Sequence, residues 1–144
     1  MTTSELIQAF FERSNALQNY WTLYVVVIGG LLAFASMRKQ PDIVTTALVS
    51  ILFIMFAYKN LGAIEDVSIQ RIAILDAFKQ QAAPVTDTMP ATQTKQLQLI
   101  QPTMITPDLH GIRHFHIVSD VLTVAALWAM ELRRRRAAKA GHHA

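Results

Sequence analysis

Residues 107–136 read PDLHGIRHFHIVSDVLTVAALWAMELRRRR: three histidines, then an apolar run that holds one acid, Asp120, then four consecutive arginines. A helix of about 20 apolar residues crosses the ~30 Å hydrocarbon core of a bilayer. A block of arginines at its end stays in the aqueous phase and marks the side it lies on. A chain with such a segment has few folds open to it, because backbone groups in lipid must be satisfied within the segment itself.

Two further apolar blocks precede it. Residues 20–37 contain no charge over 18 positions, gather Tyr20, Trp21 and Tyr24 at their start as an interfacial belt would, and end on Arg38 and Lys39. A cleavable signal peptide is the alternative, since Ala33-Phe34-Ala35 resembles a cleavage site. The preceding lead has one basic and two acidic residues, which is the wrong charge for a signal peptide, so the block reads as a span. Residues 43–59 form a shorter second block, reached through Pro41 and Asp42; proline at the first helical position with an acid beside it starts a helix.

The remaining segments are less apolar. Residues 1–19 form an amphipathic lead whose Thr2-x-x-Glu5 fits a capping box. Residues 61–81 form an amphipathic helix with Leu61, Ile64, Val67, Ile74, Leu75 and Phe78 on one side and Arg71 in the middle of that stripe. Residues 82–106 form a proline-punctuated loop, and residues 137–144 a basic tail. The fold class expected is thus an all-α integral membrane protein: three transmembrane helices (20–37, 43–59 and the helix 107–136), with an extramembrane amphipathic helix and a long Pro-rich loop, in one membrane domain.

With three spans, Arg38 and Lys39 fall on the same side as Arg133, Arg134, Arg135 and Arg136. The positive-inside rule makes that side cytoplasmic and puts the N-terminus outside, in a bacterial inner or plasma membrane. The four arginines are candidate contacts for anionic lipid headgroups.

The composition narrows the function. Apolar residues make up 52% of the chain and charged ones 16%, and five of the thirteen basic residues sit at 133–136 and 139. The basicity is a local feature, without the aromatic-interleaved groove of a nucleic-acid binder. The chain has no cysteine, which excludes disulfides, Cys-ligated metals and a thiol nucleophile. No nucleotide loop, catalytic triad or pair of cleft carboxylates appears, so no enzyme activity, cofactor or soluble substrate is expected.

Polar residues inside a span are costly and mark sites. Asp120 is the foremost. His116 and Arg113 are its nearest partners on the same helical face, and Lys59 is its expected partner across helices, giving a polar clasp or an ion site. His110 and His114 have the spacing of two metal ligands on a helix but lack a third. Glu131 is expected to form a surface pair with Arg134 or Arg135. Arg71 and Phe78 are candidate partner-binding residues on the amphipathic stripe. Small residues mark packing faces: Gly29, Gly30 and Ala33; Thr46 and Ser50; Ser119, Thr123 and Ala126. Packing of the three spans on one another accounts for them.

Two functions compete. One is a non-catalytic accessory or scaffold subunit of a larger membrane complex, binding other membrane subunits through its spans and extracytoplasmic segment. The other is a small homo-oligomeric ion or proton channel that uses Asp120 and His116.

Overall fold

The computed structural model of the chain describes residues 2–82 and 105–141. Three helices account for nearly all of them: α1, Thr3–Met37; α2, Ile43–Ala82; and α3, Leu109–Gly141. There is no strand among the described residues. Stretches of all three are long and apolar enough to cross a membrane: Ser4–Met37, Ile43–Gln80 and Leu109–Ala140. The protein is thus all-helical with three candidate spans.

The helices have 35, 40 and 33 residues. At ~1.5 Å per residue they run roughly 50–60 Å, so each is longer than a single bilayer crossing needs. The lead and the first span are a single helix. The segment 61–81 is likewise not a separate amphipathic helix but the C-terminal half of α2. Nothing in the sequence breaks it: no proline interrupts it, and one glycine, Gly62, costs only about 1 kcal/mol. The loop expected over 82–106 lies outside the described residues from 83 to 104.

The helix starts are set by side-chain acceptors. At α1 the capping box closes both ways, with Thr2 N donating to Glu5 Oε2 (2.7 Å) and Glu5 N to Thr2 Oγ1 (3.3 Å). At α2 the cap is Asp42, not Pro41: Asp42 Oδ1 accepts from Val44 N (3.0 Å) and Thr45 N (3.1 Å), and Oδ2 accepts from the Thr45 hydroxyl. Satisfying two free N–H groups and a hydroxyl outweighs the preset φ of proline. These bonds, the Thr45 hydroxyl first, hold the exposed Asp42 carboxyl below its ordinary range. At α3 the first helical residue is Leu109 rather than Pro107, with Asp108 immediately before it.

The chain divides into two compact units, Met1–Asn19 with Ile64–Leu109 and Tyr20–Ala63 with His110–Ala144. In the first, Leu6, Phe10, Ile64, Val67, Leu75 and Phe78 are buried, while Asp66, Gln70, Asp76 and Gln80 are exposed. In the second, contacts fix the directions of three helical segments. Tyr24 meets His116 and Asp120 at one end, and Ala35 meets Arg134 at the other, so these parts of α1 and α3 are parallel. Asn60 meets His116 and Thr46 meets Glu131, so α2 is antiparallel to both.

The second unit faces outward with large apolar side chains: Val25, Val26, Leu48, Met55, Val121 and Leu122 are all more than half exposed. A water-soluble bundle would bury them; a bilayer solvates them. Its interior carries the polar residues instead, with Thr46, Ser50, Asn60, His116, Thr123 and Glu131 each 5% exposed or less.

Candidate functional site: two polar layers in the second unit

Four of the buried polar residues of this unit, Thr46, Asn60, His116 and Glu131, belong to two layers, each drawing on all three helices. The first centres on His116, which is 0% exposed. Asp120, one turn along α3, places Oδ2 2.9 Å from His116 Nδ1. Tyr24 from α1 donates its hydroxyl to Asp120 Oδ1 at 2.8 Å. Asn60 from α2 sets Nδ2 3.3 Å from His116 Nε2. The donors and acceptors fit in one arrangement: the amide N–H donates to Nε2, so the proton of a neutral imidazole sits on Nδ1 and is given to the carboxylate. Each carboxylate oxygen then has a donor. Aromatic faces close the layer: Tyr24 lies 4.1 Å and Trp21 6.0 Å from the imidazole, and Phe115 lies 5.8 Å from Trp21.

The second layer centres on Glu131, also 0% exposed. Arg135 Nε donates to its Oε1 at 3.0 Å, and Arg134 Nη2 to its Oε2 at 3.3 Å. Arg134 also reaches α1, where Nη1 donates to the carbonyl of Ala35 at 2.6 Å, near the helix end where carbonyls lack intrahelical partners. From α2, the Thr46 hydroxyl shares its hydrogen between Asp42 O (2.9 Å) and Glu131 Oε2 (3.3 Å), and accepts from Arg38 Nη1 (3.1 Å). Arg38 also pairs with Asp42 at 3.6 Å. His116 and Glu131 are 15 positions apart on α3, which at ~1.5 Å each separates the layers by roughly 22 Å.

The expected site residues divide on this geometry. Asp120 and His116 come together. Lys59 does not join them: it is exposed, and the neighbouring Asn60 supplies the α2 contact. One residue along a helix turns a side chain by about 100°, so only one of the two can face inward. Arg113 is exposed, just before His116 on α3. His110 and His114 are an exposed pair with tilted rings whose centroids lie 4.1 Å apart, and His114 Nδ1 donates to the carbonyl of His110 at 2.9 Å. No group of three or more potential ligands that could hold a metal occurs among the described residues. Arg71 places its guanidinium 4.8 Å from the centre of the Phe10 ring, and Phe78 is buried at 5% exposure, both in the first unit.

The four arginines are not one block. Arg134 and Arg135 are engaged by Glu131, while Arg133 and Arg136 are exposed. Glu131 is a buried hub rather than half of a surface pair, because Thr46 and the two arginines enclose it. The small-residue faces also divide. Thr46, Ser50 and Thr123 are buried between helices. Gly29, Gly30 and Ala33 are exposed, and a Cβ added at either glycine would meet nothing within 4 Å. The glycine face of α1 is therefore not used to pack the three spans on each other.

Tyr24 and Asn60 were missed by reading α1 and α2 as blocks. The signal that finds them is a spacing of three and four. Along α2 within the second unit the buried positions run Thr46, Ser50, Phe53, Ala57 and Asn60, the seam of a left-handed helix pair.

No protein-family model, curated protein or solved structure matches this chain. The helices and their outward apolar residues define the class: a small helical membrane protein with three candidate spans.

Proposed function

We propose that the chain is a non-catalytic accessory or scaffold subunit of a larger membrane complex. In this reading it lies in a bacterial inner or plasma membrane, with its N-terminus and residues 60–114 outside and its C-terminus cytoplasmic. Arg38, Arg134 and Arg135 gather at one end of the second unit through Thr46 and Glu131, as this orientation requires of its cytoplasmic end.

The observation that carries the reading is the open face at Gly29 and Gly30. Adjacent glycines weaken a helix by about 1 kcal/mol each, and in a membrane they serve close backbone approach to another helix. Among the described residues nothing makes that approach, so it is assigned to a helix of a different subunit. The buried polar layers then hold the scaffold rigid while α1 presents the face.

The test is mild detergent extraction of the tagged chain from its native membrane, followed by identification of what co-purifies. Unrelated membrane subunits are expected, and Gly29→Leu with Gly30→Leu should release them without lowering the denaturation midpoint of the chain. A chain that purifies alone, or partners retained by the double variant, defeats the proposal.

A second reading, a homo-oligomeric proton or ion conductor, is favoured by one observation. The side chain of Asp120 is 21% exposed while its partner His116 is enclosed, so the layer reaches the surface of the unit at the carboxylate. Asp120→Asn in liposomes decides it: flux that survives the substitution removes this reading.

A further inference from the structure

Arg136, which Glu131 does not hold, and Arg135, which it holds through Nε, lie on a groove at the basic end of α3. Pro41, Leu132, Arg135, Arg136, Ala138 and Lys139 line it, and it opens outward with a volume of about 440 Å³. Leu132, Arg135, Arg136 and Lys139 are spaced i, i+3, i+4 and i+7, so they share one helical face. The order along that face is chemical. Leu132, 51% exposed, ends the apolar side of α3; Arg135 and Arg136 come next, and Lys139 lies one turn further.

The charge at this end is not balanced. Arg38, Lys39, Arg133, Arg134, Arg135, Arg136 and Lys139 make seven basic residues, against the two acids Asp42 and Glu131, which leaves five positive charges. The acids are committed elsewhere, Asp42 to the α2 cap and Arg38, and Glu131 to Arg134 and Arg135. Arg135 gives Glu131 only its Nε and is 40% exposed. Arg136 and Lys139 have no acidic partner among the described residues. Three cationic side chains thus converge on one groove whose inner end is apolar.

We propose that this groove binds the phosphate headgroup of an anionic phospholipid, with Arg135, Arg136 and Lys139 around the phosphate and an acyl chain running along Leu132 onto the apolar outer face of α3. A lipid fits better than an acidic protein segment because Leu132, which lines the groove, is also an exposed residue of the apolar side of α3. It also fits better than free phosphate, which would leave Leu132 in water. Basic residues at a membrane surface each strengthen binding of anionic lipid by roughly fivefold. The inference needs the chain to lie in a bilayer but does not depend on its being an accessory subunit.

Trp128, one turn before Leu132 on the same side of α3, is a built-in probe. The full chain carrying Trp21→Phe, which leaves Trp128 as the only tryptophan, is reconstituted in phosphatidylcholine vesicles. Quenching of Trp128 by brominated phosphatidylglycerol is compared with quenching by brominated phosphatidylcholine at equal mole fraction. The anionic lipid should quench more strongly, and Arg136→Gln with Lys139→Gln should lower its relative association roughly 25-fold. Lys39→Gln with Arg133→Gln removes the same charge outside the groove and should leave most of the preference intact. Equal quenching by the two lipids overturns the proposal. So does an equal loss in both double variants, which would mean a diffuse surface potential. Abolition of the preference by inorganic phosphate, at an ionic strength matched with chloride, also overturns it, since the groove would then be a free-phosphate site.

Discussion

The first polar layer makes a quantitative claim about which residue Asp120 depends on. Tyr24→Phe removes one hydroxyl and keeps the ring that stacks 4.1 Å from His116. The lost bond is a 2.8 Å O–H to a carboxylate, of a kind worth roughly 1.5–3 kcal/mol in water-soluble proteins. In membrane proteins the measured coupling averages only ~0.6 kcal/mol and reaches ~1.7, because the unfolded chain in the bilayer finds other partners. The charge on Asp120 and the burial of Tyr24 at 1% exposure place this pair toward the upper end. A coupling of about 1 kcal/mol is therefore expected between Tyr24→Phe and Asp120→Asn. The assay is a double-mutant cycle on the full chain in mixed micelles, unfolded by increasing the fraction of SDS and followed by helical circular dichroism. Lys59→Ala with Asp120→Asn is the companion cycle, and those two should add within about 0.5 kcal/mol, as independent sites do. Additivity of Tyr24 and Asp120 would refute the assignment, and strong coupling of Lys59 and Asp120 would restore the lysine clasp.

Three further outcomes follow from the packing and the caps. Glu131→Gln leaves Arg134 facing a neutral amide in a buried site and should destabilise by about 2–3 kcal/mol. That is below the roughly 3–5 of a fully buried pair, because Arg135 is 40% exposed and can turn to water; the same SDS titration reads it. Leu127→Ala should cost about 2–5 kcal/mol, since Leu127 is 2% exposed, whereas Leu122→Ala, at 63%, should change stability little; equal costs would mean that α3 is rotated from the orientation described. Asp42 has its carboxyl lowered in the folded state, so its contribution is complete above the ordinary carboxylate range near ~4 and is lost as pH falls through the lowered value. Asp42→Asn should remove that part of the acid dependence of the denaturation midpoint.

Much of the candidate site could be read from the chain, but not its partnerships. Asp120 stands out because an acid in an apolar run is costly, and His116 follows because i and i+4 share a helical face. Tyr24 reads as one more interfacial aromatic, and Asn60 lies just past the apolar block 43–59. Whether a residue at a span boundary faces lipid or protein depends on rotation about the helix axis, and block hydropathy does not contain that angle. The three-and-four spacing does contain it, and along α2 it favours Asn60 over Lys59. Gly29 and Gly30 misled in the opposite sense. Small size allows close approach but does not say to which helix.

The sequence alone determined the helices and their setting. Its charge-free blocks leave helices as the only economical way to satisfy the backbone in lipid, and its arginines end the last span. Residues 2–5 specify their cap in both directions. Only the tertiary structure decided which polar groups lie inside. Burial of Glu131 splits the arginine run into two that it holds, of which Arg134 also fastens α1, and two that remain exposed, and enclosure of His116 gives Asp120 a tyrosine rather than a lysine. The physical reason is that an uncompensated buried charge is so costly that its partners must be supplied by neighbouring helices. The last helix thus ends in two functions, a stop written in its arginines and a fastening that appears only when α1 and α2 stand beside it.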